Sequence, residues 1–394
     1  MATVRCSTCG KTVPRGAFCG SCGADLSPQR GGGPDWLRMR TYAVTPGEAV
    51  LRPSVVSSLL PRLPRPSRAA FRAVLVGLLV GLATVAVLRW QAPLIAISAL
   101  GLLMCFVMYL KDSDVFADLP LGSLLLAAMA GAGLGVGWAV LTGTVLSRSY
   151  IVALGAGMIQ GQPLREELSI VLGGAVLMVL PAVLVRISRP QTRESLDGFV
   201  IGSLGALCFT AAATATLLAP QLATGPITRE RPIAGLLVEA GIHGVAIPMI
   251  GAAVGGMVGT TLWFKRRADT PQRHRSRALA IPVLELAVVL IVYGALALVD
   301  IAGLRQGLQL GLYLVMTVFA LLALRIVLQA ALLEEAHDDM SPDKPVLCTE
   351  CGYVVPDMAF CAQCGMAANA SSRSSRTMRR LARPVPIDPT AEGL

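Results

Sequence analysis

Eight stretches of this chain are apolar over a length that crosses a bilayer core of about 30 Å as a helix; they lie near 70–89, 92–110, 120–146, 167–187, 198–219, 233–263, 278–299 and 308–333. Inside a bilayer no water satisfies a backbone N–H or C=O, so each stretch must pair its own peptide groups and is expected to be helical. Composition agrees. Hydrophobic residues make up 54% of the 394 residues and charged residues 15%, against about 25% charged in soluble domains. A disordered chain, a fibrous chain and an ordinary soluble enzyme are excluded. The expected fold class is an all-α polytopic membrane protein of about eight transmembrane helices with a small zinc ribbon at each terminus. Residues 150–162 are apolar but too short to span, and read as a surface or re-entrant piece.

The net charge is +10, from 34 Lys and Arg against 24 Asp and Glu. Its lysines are Lys11, Lys111, Lys265 and Lys344; the rest of the basic count is arginine, a skew typical of GC-rich bacterial genomes. In a soluble protein this excess would point to nucleic acid. In a polytopic one it follows from insertion, which leaves Lys and Arg on cytoplasmic loops. The 265–277 loop carries six basic residues: Lys265, Arg266, Arg267, Arg273, Arg275 and Arg277. Those loops fall on one side with both termini if the N-terminus is inside. The expected location is the bacterial cytoplasmic membrane, multi-pass, with both termini cytoplasmic. No secretory signal peptide is read at the start of the chain.

Eight of the ten cysteines form a repeat. Cys6, Cys9, Cys19 and Cys22 read C-x2-C-x9-C-x2-C, and so do Cys348, Cys351, Cys361 and Cys364. Residues 6–23 (CSTCGKTVPRGAFCGSCG) and 348–365 (CTECGYVVPDMAFCAQCG) share a Gly after each pair, a loop Pro and an Ala-Phe-Cys. Four thiolates suit tetrahedral Zn²⁺. Gly10, Gly23, Gly352 and Gly365 permit the positive φ that brings the backbone round behind a metal. Units this short have no core, so metal binding is their folding energy. Two structural Zn²⁺ sites are expected. Cys105 and Cys208 lie in apolar stretches as small hydrophobes.

The domain reading follows: a zinc ribbon over 1–26, a basic Pro/Gly-rich linker over 27–69, a helical membrane domain over 70–333, a linker over 334–347, a second ribbon over 348–369 and a disordered tail over 370–394.

Ionisable groups inside spans are expensive and mark functional sites by default. Glu166 and Glu167 head the fourth span. Glu239 and His243 stand four apart in the sixth, on one helix face. Glu285 lies in the seventh, and Asp197 opens the fifth. A carboxylate and a histidine together can activate water. Each also has a structural reading: a helix first turn for Glu166, Glu167 and Asp197, an interhelical hydrogen bond for Glu239 and His243, a headgroup neighbour for Glu285. The Gly251, Gly255, Gly259 ridge and the Gly131, Gly135 pair read as close internal helix packing.

The order of these features resembles the PrsW-type intramembrane proteases over roughly residues 75–300. The resemblance rests on REELSI with Glu166 and Glu167, Asp197-Gly198, GSLGALCF with Gly202, Gly205 and Phe209, and His243 followed by Gly251. YLKDSDVFADLP before the third span is also similar. It implies a glutamate-dependent intramembrane endopeptidase core acting on a membrane protein substrate, with Glu166, Glu167 and His243 in the catalytic set. The chain departs from the pattern at Ile170, where a Lys is expected, and at Ala213-Thr214, where Glu-Asn is expected. The family's last His is absent, with Glu239 and Glu285 the available substitutes.

Three function classes follow. One is a membrane scaffold with a weakened PrsW-like core that presents two zinc ribbons to a protein partner, nucleic acid being a less favoured ligand. The second is an active protease using Glu166, Glu167 and His243, helped by Glu239 or Glu285. A transporter using the same buried charges is the third reading.

Overall fold

The computed structural model describes residues 2–26, 41–52, 54–155, 163–188, 194–224, 232–265, 272–335 and 340–383, with backbone alone for 145–155, 163–168, 223–224 and 272–281. The first cysteine repeat carries the hairpin β1 (Thr3–Arg5) and β2 (Thr12–Pro14). A second hairpin, β3 (Thr41–Tyr42) and β4 (Thr45–Ala49), leads into the short helix α1 (Val55–Leu59). The membrane helices follow: α2 (Ser67–Val87), α3 (Gln91–Asp112), a short α4 (Val115–Asp118), α5 (Leu121–Gly155), α6 (Pro163–Ile187) and α7 (Ser195–Leu218). Then come α8 (Ile233–Gly241), a π turn (Ile242–Ala246), α9 (Ile247–Trp263), α10 (Gln272–Ile301) and α11 (Gln306–Glu334). The second repeat carries the hairpin β5 (Ser341–Leu347) and β6 (Val354–Asp357), followed by α12 (Arg373–Leu381).

Among the described residues eight helices, with α8 and α9 counted as one span, are long and apolar enough to cross a membrane. They match the eight expected stretches. The backbone of α5 runs on to Gly155, so the first part of 150–162 extends the third span. Residues 156–162 lie outside the described residues.

The bundle is built around α7. Its span is 72% buried, against 17% for α2, which turns Val76 and Val80 outward. Glycine explains how α7 packs so closely. A Cβ on Gly202 would overlap the Gly255 carbonyl of α9, and one on Gly135 of α5 would overlap the Phe209 carbonyl of α7. The two glycine ridges are therefore internal contacts. The π turn has a local cause. Pro248 has no N–H for the Gly244 carbonyl, and its ring would crowd that oxygen, so the backbone widens just before it.

Two expectations are corrected. The stretch 27–69, expected to be an extended linker, is folded wherever it is described. Tyr42, Val44, Val50, Val56, Leu59 and Leu63 are buried in the same core as the bundle. The reason is Arg325 of α11, which is fully buried. Its Nε donates to the Val50 carbonyl (3.0 Å), Nη2 to the Ala49 carbonyl (3.1 Å) and Nη1 to Ser57 Oγ (2.7 Å) and Glu48 (3.2 Å). The Tyr42 ring lies 4.1 Å from the guanidinium carbon. A helix of 29 residues is about 43 Å long, some 13 Å more than a bilayer core needs. The overhang of α11 is what the hairpin and α1 wrap.

Of the tail from 370 to 394, expected to be disordered, Arg373–Leu381 forms α12, and 384–394 lie outside the described residues. The first turn of α12 leaves backbone N–H groups without helical partners. The Asp118 carboxylate at the end of α4 accepts from Ser374 N (2.9 Å) and from Arg373 N, and Ser372 Oγ accepts from Ser375 N (3.2 Å). A carboxylate at a helix N-terminus also suits the helix dipole.

Candidate metal centres and the head they build

Each C-x2-C turn is closed by the same backbone pattern. Gly10 N donates to the Cys6 carbonyl and Gly23 N to the Cys19 carbonyl; Gly352 and Gly365 repeat this on Cys348 and Cys361. All four glycines have φ between 72 and 80°, a region that disfavours other residues. The turns aim the sulfurs inward. In both repeats all four Sγ atoms lie within 4.8 Å of one another. Cys6 and Cys22 are 3.7 Å apart, and Cys9–Cys19, Cys348–Cys364 and Cys351–Cys361 are each 3.8 Å apart.

These separations are too long for disulfides, whose sulfurs lie about 2.05 Å apart, and all ten cysteines are free. They fit a tetrahedron. Four sulfurs each about 2.3 Å from a central ion are about 3.8 Å from one another. Without a cation, thiols this close cannot all ionise. Cys19 is drawn down to about 5 chiefly by a hydrogen bond from Cys22, while the Cys22 thiol is pushed up chiefly by that same bond. The donor set and its geometry suit a thiophilic divalent ion in both units.

The two units, from opposite ends of the sequence, pair with each other. Phe18 N donates to the Ala362 carbonyl (3.0 Å), and Phe360 N donates to the Gly20 carbonyl (3.0 Å). Phe18 corresponds to Phe360 in the repeat, and Gly20 to Ala362. The contact is therefore a pseudo-two-fold interface within one chain. Its side chains are not symmetric. Gly16 and Gly20 leave holes that Ala362 and Met358 fill, and a Cβ at either glycine would collide with them. Two copies of the first unit would leave a gap there, and two copies of the second would clash. Gly20→Met is expected to destabilise the pairing by about 1–3 kcal/mol. Faster amide exchange at Phe18 and Phe360 with unchanged metal content would show it; unchanged exchange would refute the hole-filling account.

The pair is clamped to the end of the bundle where both termini emerge. Ala367 N donates to the Ala43 carbonyl (2.9 Å), and Ala43 N donates to Gln329 Oε1 of α11 (2.8 Å). Glu335 accepts from Ser195 N (2.6 Å) and Ser195 Oγ (2.7 Å) at the head of α7, and from Asn369 Nδ2 (3.2 Å). Beside it, Arg62 pairs with Asp197 (2.8 Å) and Glu194 (3.4 Å), and Arg373 (3.0 Å) and Arg376 also reach Glu194. Arg62 is buried, which disfavours its charge, but Asp197 and Glu194 more than offset this and hold it above its usual range. Asp197, read as an N-terminal helix charge, is 1% exposed and serves as a buried ion-pair partner.

Two carboxyls make this docking pH-dependent. Burial pushes Glu335 up to about 7. As pH rises from the ordinary carboxylate range towards that value the unfolded chain sheds its proton first, and docking weakens. Burial also acts on Glu194, but Arg376 and Arg62 outweigh it and hold its carboxyl below the usual range. Its contribution is present above that range and is lost as pH falls through it. Amide-exchange protection of α12, corrected for the intrinsic rate, is expected to peak near the ordinary carboxylate range, about pH 4–5, and to fall on either side. A monotonic profile would contradict one of the two assignments.

The described residues singled out in the membrane core fall in two places. Glu239 and His243 line one cleft of about 620 Å³ at the end of the bundle away from the ribbons. Glu239 accepts from Gln221 Nε2 (2.9 Å). The cleft also holds an acid that sequence reasoning missed: Asp300, which accepts from Tyr313 Oη (2.9 Å) and Gln309 Nε2 (3.2 Å). Its only sequence signal was an Asp closing an apolar run. Glu285 is buried beside Thr261, near the ribbon end. Thr261 is 18 residues past His243, about 27 Å along the helix, so Glu285 does not join His243 in one site. This corrects its reading as a substitute. The side chains of Glu166 and Glu167 lie outside the described residues.

No known protein family, no curated protein and no solved structure matches the chain. The PrsW resemblance therefore stands on its motif residues alone.

Proposed function

We propose that this chain is a bacterial cytoplasmic-membrane protein whose two zinc ribbons form one rigid cytoplasmic head for docking a protein partner, on a PrsW-like helical core of weakened proteolytic activity. The observation that carries this reading is the clamped pair itself. Eight spans return the chain to one side, and its two ends are joined there through matched backbone bonds and buried ion pairs. A surface held rigid beforehand binds with less loss of conformational freedom than two tethered units. Zinc is supported by four thiolates and by the sulfur separations in each unit. The cytoplasm is supported by the basic loops at the ribbon end and by its reducing poise, which keeps thiols available for metal.

The test combines metal analysis with crosslinking in cells. Purified protein is expected to carry two zinc ions per chain. A photocrosslinker at Lys11 is expected to trap a discrete partner from the cytoplasmic side, and Gly20→Met to abolish that product. A crosslink unaffected by Gly20→Met, or a head labelled only from outside the cell, would sink the reading.

The cleft favours a second reading. Glu239, His243 and Asp300 around one open space inside the spans could position a water for peptide hydrolysis. Glu166→Ala and His243→Ala would then each stabilise a membrane protein that wild-type cells cleave. An unchanged membrane proteome in both variants would leave the scaffold reading alone.

A further inference from the structure

The two cysteine units share spacing, turns and pairing bonds, so positions where they differ in character are informative. In the first, the residues flanking the first C-x2-C turn are Arg5, Lys11 and Thr12. Their counterparts in the second are Leu347, Tyr353 and Val354. All three are exposed, by 48%, 61% and 54%. The ribbon fold does not require apolar residues there, because the first unit folds with polar ones. Nor does its core: Val346 and Val355, the neighbours on the opposite strand face, are the buried pair. Leu347 and Val354 are cross-strand partners at the last rung before the turn. The tip of the β5–β6 hairpin thus carries a small apolar cap that nothing described in the chain covers.

The position of that tip identifies what covers it. Glu350, inside the turn, forms a two-point ion pair with Arg68 (3.0 and 3.1 Å), and its carbonyl accepts from Arg65 (3.4 Å). Arg68 is in the first turn of α2, and the uninterrupted apolar run begins one turn later at Ala73. Arg68 therefore marks the headgroup level, and the hairpin tip is pinned to it. Beside it α2 turns Val74, Val76, Leu79 and Val80 outward as lipid-facing surface. The exposed Arg65 donates to the tip at Glu350, Arg379 donates to the Leu347 carbonyl (3.2 Å), and the exposed Lys344 stands three residues before Leu347 on β5, so cations flank the tip. Aromatic side chains with a polar tip are enriched at this depth, and juxtamembrane cations draw anionic lipid. In the first unit's equivalent turn Ser7 and Thr8 are exposed.

We propose that Leu347, Tyr353 and Val354 form a membrane-contact surface, seated in the interfacial layer of the bilayer that α2 enters, with anionic headgroups on the flanking cations. The second ribbon is thereby a peripheral membrane module, and the first is its water-facing counterpart.

The test uses the full chain in single-copy nanodiscs of phosphatidylcholine and phosphatidylglycerol, with and without bromine near the headgroup. Three variants, Tyr353→Trp, Leu347→Trp and Lys11→Trp, are compared with the parent, and metal content shows which of them keep both ribbons. The emission added by Tyr353→Trp and Leu347→Trp is expected to lie to the blue and to be mostly lost in brominated discs. The emission added by Lys11→Trp is expected to survive. If neither tip variant that retains its metal is quenched more than Lys11→Trp, the proposal is overturned. A protein partner or a second copy as the true occupant would give that result, since neither is present in the disc.

Discussion

Cys361→Ser is expected to remove one metal ion and to release both ribbons from the bundle. The second unit's own cluster is only Val346, Cys348, Val355 and Cys361, and its Phe360 and Ala367 are buried against the bundle core once the unit is folded. Metal binding in such units is worth about 10–16 kcal/mol, far more than so small an apolar cluster supplies. Once the unit unfolds, Phe360 no longer donates to Gly20, and the first ribbon loses its pairing face. The turn that carries Asn369 no longer holds Glu335, and α12 loses its position against Asp118. Metal content should fall from two ions per chain to one or fewer. Trypsin should cut at Arg373, Arg376, Arg379 and Arg380, which the docked helix protects. The spans should stay intact, because α7, α9 and α5 pack through contacts that do not involve the head. A variant that keeps two metals and resists trypsin at α12 would refute the account of the head as metal-dependent.

Arg325→Met is expected to have the largest effect of any substitution in the helical domain. The guanidinium is the shared partner of Glu48, Ser57, Ala49 and Val50, and the Tyr42 ring covers it. Methionine fills much of the volume but satisfies none of these groups. Breaking a buried pair by removing one side costs about 3–5 kcal/mol, because the other charge stays without compensation. The loss should appear as a lower thermal midpoint in detergent and as rapid exchange through residues 41–52. Adding Glu48→Gln should recover part of it, since that change removes the stranded carboxylate. A loss below about 1 kcal/mol, the size of an exposed pair, would mean the segment is held by its apolar side chains alone.

Part of this molecule was legible from local pattern. The spans are visible because burying backbone in lipid demands a long apolar run, and length is a local property. The metal units are visible because a C-x2-C turn with a following glycine is built within five residues. The core residues were less legible. Glu239 and His243 share a cleft as their spacing suggested, yet Asp300 completes it from another helix and no periodicity pointed to it. Glu285 looked equivalent to Glu239 in sequence and lies at the opposite end of the bundle.

What the sequence determined by itself was what each segment must do with its own backbone and its own thiols: form eight helices and two four-cysteine units. What only the tertiary structure decided was how the ends are used. Residues 41–63 and 371–383 look like linker and tail because they are rich in Pro, Ser and Arg, and in isolation nothing would order them. They fold because Arg325, Glu194 and Asp118 wait for them at the end of the bundle, up to 277 residues away in the chain. Polar residues report whether they need a partner, and only the fold brings that partner within hydrogen-bond distance.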